Sequence, residues 1–257
     1  MSLRRLGVIL AHEVRIASRD PLPVLVLLVF PIITMAFLKP AFQPALVQAG
    51  HRQANGAEQV VPGQAVMTGF FVVSLITFAF FSEHAGGTWD RLRASAATPL
   101  EVVVGKSLPR IVMSITQFVI IFAAGVLLFD LDIGGNPLAL VPLVITFAIC
   151  LVLLGVTVTA ICRTAQQANA FAVVGMVIFG AIGGALVPFH VLPGWAQHLA
   201  PTTPTYWAMR GFRSVILDDQ SLGSIAAPAA ILTAMSVAFT LVALQRFRFD
   251  EHKVGWI

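Results

Sequence analysis

The sequence predicts an all-α integral membrane protein with six transmembrane helices, and three observations predict it. The chain of 257 residues is 58% hydrophobic and only 11% charged, with a mean hydropathy of +0.89. Its apolar runs recur with lengths near the roughly 20 residues needed to cross about 30 Å of hydrocarbon. Between the runs stand proline, glycine and charged clusters that read as turns at a water boundary. The whole chain, 1–257, reads as a single transmembrane domain.

Residues 3–19 place Leu3, Leu6, Ile9, Leu10 and Val14 on one face, with Arg4, Arg5, His12, Glu13, Arg15 and Arg19 on the others. That pattern predicts an amphipathic helix lying along a basic membrane surface. The amino-terminal region has no apolar core with a small-residue cleavage site, so no cleavable signal is expected there. Asp20-Pro21 caps a first span at 22–38, which Lys39 and Pro40 are expected to end. Residues 40–62 read as a weakly structured outer loop, followed by a second span at 63–81. The third, fourth and fifth spans are expected at 111–129, 138–161 and 171–187. Asp130 to Pro137 forms a turn between the third and fourth. Gly180 and Gly184 lie in the small-xxx-small spacing that lets helices approach closely. A sixth span is expected at 226–244, before Arg246, Arg248, Asp250, Glu251 and Lys253.

A polar island separates the second and third spans. Gly86 and Gly87 break the preceding helix, Thr88 can cap a short new one, and Trp89 and Leu92 give it an apolar edge. Thr98-Pro99-Leu100-Glu101 is a capping box with proline at the first helical position, so another helix starts there and runs on through Pro109. Two capped starts in one loop predict a short helix with a docking role.

Six spans place both termini on one side. With that side as the cytoplasm, twelve of the 16 Lys and Arg residues fall inside. Lys39, Arg52, Arg210 and Arg213 fall outside. The bias predicts a multi-pass protein of the plasma membrane with cytoplasmic termini and a cytoplasmic island. The formal charge of +4 is thereby a topology signal, and no nucleic-acid partner is expected.

Composition also limits the chemistry. The expected spans carry no Asp, Glu, Lys, Arg or His, whereas ion-coupled carriers generally hold their ion on such a group or at a broken helix. Energy is therefore expected to enter from outside the membrane. Gly105-Lys106-Ser107 mimics the end of a phosphate-binding loop, but Leu100 stands where its first glycine belongs and the segment reads as helix, leaving Lys106 a lysine at the membrane edge. His12-Glu13 lacks the second histidine of a zinc-protease helix, and consecutive Ser82, Glu83 and His84 do not face one another. Cys150 and Cys162, in one expected helix, stand roughly 18 Å apart at about 1.5 Å per residue and cannot bridge. No enzyme activity, bound metal or cofactor of this chain is expected.

The island, Glu83-His84-Ala85-Gly86-Gly87-Thr88-Trp89-Asp90-Arg91-Leu92 followed by Thr98-Pro99-Leu100-Glu101 and Gly105-Lys106, resembles the cytoplasmic signature loop of type-2 ABC exporter permeases. These are the membrane subunits of drug, lipid and polysaccharide exporters. A second match runs through Pro188, Leu192-Pro193-Gly194-Trp195, Leu199, Pro204, Tyr206 and Arg210. It is similar to the family segment between the fifth and sixth spans, whose short helices dip back into the outer leaflet. Re-entrant helices there would account for Arg210 and Arg213 lying outside. The Ala85-Gly86-Gly87 run departs from the family, which often has one charged or polar residue before Gly-Thr.

The resemblance implies that two permease subunits pair, as a homodimer or heterodimer, and that each seats a coupling helix in a groove of a separate ABC ATPase subunit. ATP and Mg would belong to that partner. Glu83, Gly87, Thr88, Trp89, Asp90, Arg91, Leu92, Arg93, Thr98 and Pro99 are the implied coupling residues, with Trp89 and Leu92 as apolar anchors. Ser74, Thr77, Ser114 and Gln117, with no fixed charge among them, suit a pathway for an amphiphilic or hydrophobic, drug-like or lipid-like substrate. Alternatives are an ion-driven secondary carrier or channel, and a permease for polysaccharide or teichoic-acid-type export.

Overall fold

The computed structural model describes residues 7, 15, 22–51, 54–88, 94, 98–218 and 223–246, with the side chains of 22–27, 84, 85 and 99 excepted. Among the described residues the chain is helical and has no β-strand, and six helical stretches are long and apolar enough to cross a membrane. The amphipathic helix expected at 3–19 falls outside the described residues apart from Gly7 and Arg15, both exposed.

Helix α1 (Leu22–Gln48) does not end at Lys39-Pro40 as the sequence predicts; it continues through Pro40 and Pro44. Each proline removes one ladder hydrogen bond, yet tertiary contacts outweigh that loss. Lys39 Nζ donates to Phe129 O at 2.6 Å and stands 3.8 Å from the Asp130 carboxylate. Gly56, at φ +96°, lies so close to the Lys39 carbonyl that a Cβ there would sit 2.1 Å from its oxygen. Leu46, in the last turn, is fully buried. The far face of the helix, including Phe30, Ile33 and Phe37, is exposed.

The expected outer loop at 40–62 is correspondingly short, because α2 (Ala57–Gly69) starts six residues before the predicted second span. The sequence signal was a local cap. Glu58 accepts from the backbone N–H groups of Asn55 and Gly56, and Asn55 Oδ1 accepts from Ala57 N, which satisfies donors that a helix start otherwise leaves open. Helix α3 (Phe71–Ala85) continues α2 after a bend at Phe70, and the two together make the second span. Gly69 occupies that bend against Phe118, where a Cβ would lie 2.9 Å from Cζ.

Helix α4 (Pro99–Phe129) runs unbroken for 31 residues, from the Thr98 cap to Asp130 in the left-handed region at φ 51°. At about 1.5 Å per residue it is about 46 Å long. Asn136 caps a 3₁₀ turn at Pro137–Ala139 that leads into α5 (Leu140–Ile161). This helix is the hub of the bundle: it packs along α9 (Ala226–Arg246) and against α3 and α4. Gly155 allows the closest of these approaches, since a Cβ there would meet Ile76 Cγ2 at 2.1 Å.

Thr164 caps α6 (Ala165–Ile182) by accepting from Gln167 N. The helix stops five residues before the predicted Val187. Gly183 and Gly184 turn the chain there, with Ala185 and Leu186 donating back to Gly180 O, a glycine-terminated helix end. Gly180 packs on Met67 of α2, where a Cβ would lie 2.0 Å from Sδ. The chain then makes short helical pieces, including α7 (Gly194–Leu199), and enters α8 (Pro204–Ile216). Thr203 caps α8 by accepting from Tyr206 N.

Most of α8 is buried among α9, α5, α2 and α6. Phe212 stacks at 5.2 Å from Phe122 and 6.4 Å from Phe118, and Phe118 meets Phe147 edge-on at 5.7 Å. This aromatic cluster is the centre of the core. The antiparallel helices define two ends of the bundle. One carries the end of α3, the start of α4 and the α5–α6 turn; the other carries the α4–α5 turn and the α6–α8 connection.

Candidate transmission site

The junction of α3 with α4 is held by one buried ion pair. Lys106 Nζ lies 2.8 Å from Glu83 Oε1, and the two side chains are 3% and 14% exposed. Lys106 also donates to Ala79 O at 3.0 Å and stands 5.9 Å above the Phe80 ring. Reading Lys106 as a snorkelling lysine at the membrane edge is therefore corrected. Val102 and Lys106, four residues apart on one helical face, are both buried, so the charge lies on the packed face and needs a counter-charge. That spacing was the available signal.

The spans at their expected bounds hold no ionisable group, but the helices run beyond those bounds. The membrane-length stretches Leu28–Gln48, Ala57–Glu83 and Leu100–Phe129 include Lys39, Glu58, Glu83, Glu101, Lys106 and Arg110. Glu58, Glu83 and Glu101 sit in end turns of their helices, Lys39, Lys106 and Arg110 lie further in, and each has a partner from the protein. Arg110 Nη1 donates to Lys106 O one turn back, beside the break that Pro109 makes in the ladder.

Several expected coupling residues surround this pair. Thr88 Oγ1 donates to the Glu83 carboxylate, so Glu83 joins the start of the loop to Lys106 at its far side. Gly87 adopts φ +65°, a left-handed turn that glycine enters without cost. The capping box reads as expected: Thr98 Oγ1 accepts from Glu101 N at 3.3 Å and Glu101 Oε2 accepts from Thr98 N at 3.0 Å. Pro99 occupies the first helical position. Trp89, Asp90, Arg91, Leu92 and Arg93 lie outside the described residues.

The residues expected to line a pathway are distributed over two helices. Thr77 donates to Val73 O at 2.8 Å and accepts from Thr159 of α5 at 3.3 Å, inside the α3–α5 contact. Ser74 is partly buried. Ser114 and Gln117, three residues apart on α4, are buried, and Ser114 Oγ and Gln117 Nε2 have no hydrogen-bond partner. Three residues along a helix put them on one face, which forms a polar seam in an otherwise apolar core.

At the opposite end, the α6–α8 connection borders a half-open cavity of about 230 Å³. The expected residues Tyr206 and Arg210 line it, and so do Arg213 and Asp218, which the sequence reading had not placed together. Gly183 and Gly184 form its floor against α8, with Thr205 Oγ1 donating to Phe179 O at 2.6 Å. Phe189 lies 5.2 Å from the Tyr206 ring, and Arg210 covers Trp207 at 5.4 Å. Pro188 and Pro193 precede the short helical pieces, Pro204 starts α8, and Trp195 is exposed. Beside the cavity, the His190 imidazole is held below its usual pKa of 6.5 by desolvation, with repulsion from Arg213 and His51 adding to it. Residues 206, 209, 210 and 213 recur at helical spacing, the pattern from which this face was readable.

The chain resembles known transporter subunits over much of its length. It is 28% identical over 162 residues to the linearmycin resistance permease protein LnrN of Bacillus subtilis (strain 168), covering 63% of this chain and 42% of that protein. It is 26% identical over 164 residues to the probable multidrug ABC transporter permease YbhR of Escherichia coli (strain K12), covering 63% and 45%. ABC transporter G family member 20 of Dictyostelium discoideum is 22% identical over 205 residues, 79% of this chain and 28% of that protein. The matches span less than half the length of these relatives. A family model described as ABC-2 type transporter matches residues 4–217, and with six membrane-length helices in the same chain, the protein belongs to the ABC-2 type transporter family.

Proposed function

We propose that this chain is the membrane permease of an ATP-driven exporter, carrying an amphiphilic or hydrophobic substrate outward across the plasma membrane. The observation that carries the reading is the Glu83–Lys106 pair, which ties the entry and exit of the 83–99 loop to each other. A force applied to that loop reaches α3 and α4 together, because breaking a buried pair leaves an uncompensated charge. The loop would rest its coupling helix on a separate ABC ATPase subunit, which would hold ATP and Mg. Trp89 and Leu92 are the proposed anchors, with Asp90, Arg91 and Arg93 as polar partners.

In this reading both termini and the loop face the cytoplasm, and the segment from Pro188 to Ile216 dips back into the bundle from the outer side. Burial of α8 and its aromatic contacts with α4 support that geometry. Two permease subunits pair, and the seam of Ser114 and Gln117 with Thr77 and Ser74 faces the substrate route. The relatives' names, a multidrug permease and a linearmycin resistance permease, favour an amphiphile over a charged polymer.

The test is to purify the protein with an ABC ATPase subunit from its own genome, place the complex in lipid, and replace Trp89 and Arg91 by alanine. Loss of association or of substrate-stimulated ATP hydrolysis is the expected result. An unchanged complex, or transport driven by an ion gradient with no ATPase present, would replace this reading with that of a secondary carrier.

A further inference from the structure

We propose that the cavity between the end of α6 and α8 binds a phosphate group, with Arg210 and Arg213 as its ligands. Both residues line a cavity of about 230 Å³, and among the described residues neither forms an ion pair. Asp218 also lines the cavity, so among the described lining residues two positive charges stand against one negative charge, an excess of positive charge for a ligand. Arginine forks match phosphate oxygens in bidentate geometry, which is why unmatched pairs of them recognise that group.

Size narrows the class further. Pockets for drug-sized molecules have volumes of roughly 300–1,000 Å³; this one is smaller and suits a headgroup rather than a whole amphiphile. Its walls agree with a site at a membrane boundary. Tyr206 and Phe189 stack on one side, and Trp207 lies under Arg210 while donating from Nε1 to Pro201 O. Aromatic rings with one polar edge settle at the level of lipid headgroups. Val191, Trp195 and Leu199 are exposed apolar side chains on the adjoining short helices, where acyl chains attached to a bound phosphate would run. The site stands on this geometry alone and is independent of how the protein is energised.

The phosphate can come from a phospholipid headgroup or from free phosphate in solution. Both are tested on the full chain purified in a non-ionic detergent, by native mass spectrometry and by the shift in thermal unfolding. The probes are phosphatidylglycerol, diacylglycerol with the same acyl chains, and inorganic phosphate alone. Phosphatidylglycerol is expected to bind and diacylglycerol to fail. Arg210→Gln and Arg213→Gln should each weaken phosphatidylglycerol by about tenfold, the loss expected for one charged hydrogen-bonded contact. Arg213→Lys, which keeps the charge and loses the fork, should fall between. Arg210 is exposed, so its variant reports even if a change at Arg213 impairs folding. Inorganic phosphate that binds alone with the same arginine dependence supports the site and assigns it to the free anion; phosphatidylglycerol binding that phosphate does not displace assigns it to lipid. Equal binding of diacylglycerol, or binding unchanged in Arg210→Gln and Arg213→Gln, would overturn the proposal.

Discussion

The two ends of the bundle treat their charges in opposite ways. At the α3–α4 junction a buried lysine is matched by a carboxylate, a backbone carbonyl and an aromatic face. At the α6–α8 cavity two arginines share one nearby carboxylate, Asp218, and form no ion pair among the described residues. A matched charge fixes a geometry, because either partner alone would be costly to bury. An unmatched one, kept partly in contact with water, costs less to the fold and is available to a ligand. In the readings proposed above, the first end transmits and the second receives.

Four measurements break or sharpen that contrast, in falling order of expected effect. Lys106→Ala should destabilise the protein by about 3–5 kcal/mol, since it strands Glu83 in a buried setting. Thermal unfolding in detergent measures this, and Lys106→Met combined with Glu83→Gln should recover part of the loss; additive losses would show that the pair is not coupled. Thr98→Ala should cost about 1 kcal/mol, the value of a helix cap, and should loosen the start of α4 in hydrogen exchange at the Glu101 and Val102 amides, which donate to Thr98.

Arg213→Met, at the other end, should change stability by no more than about 0.5 kcal/mol because no ion pair is broken. A loss as large as that of Lys106→Ala would erase the contrast. The smallest effect concerns His190. Its folded pKa lies below 6.5, so the unfolded chain binds the proton more readily than the folded one. Stability is then complete above pH 6.5 and declines slightly as pH falls below it. His190→Gln should flatten that slope, and a slope of opposite sign would contradict the desolvation that lowers the imidazole's pKa.

The parts of the fold legible in the sequence were those determined locally. The six apolar stretches followed from length and composition, and the Thr98-to-Glu101 capping box from four consecutive residues. Where long-range packing decides, local rules failed in a consistent direction. Pro40 and Pro44 signal a helix end, yet Lys39 is tied to Phe129, some 90 residues away in sequence, and the helix goes on. The start of α2 was missed because its cap uses Asn55 and Glu58, which read equally well as loop polarity. Gly184 reads with Gly180 as a packing spacing, although its left-handed turn follows the end of the helix. At the site, Glu83 and Lys106 were each visible, but nothing within 23 residues of sequence joins them. The cavity was half visible, through the Tyr206 and Arg210 spacing, and its floor comes from another helix.

The length of α4 carries a mechanical implication. A helix of about 46 Å exceeds the hydrocarbon thickness of about 30 Å by roughly 16 Å, so it is an overhanging lever as well as a span. Rocking such a rod by about 10° about its midpoint would carry each tip through about 4 Å, more than the length of a hydrogen bond. Between its two tips, Phe118 and Phe122 grip Phe212 of α8. A tilt set at the capped end would thus be felt by α8, whose Arg210 and Arg213 line the far cavity, through stacked rings and without any hinge in α8 itself.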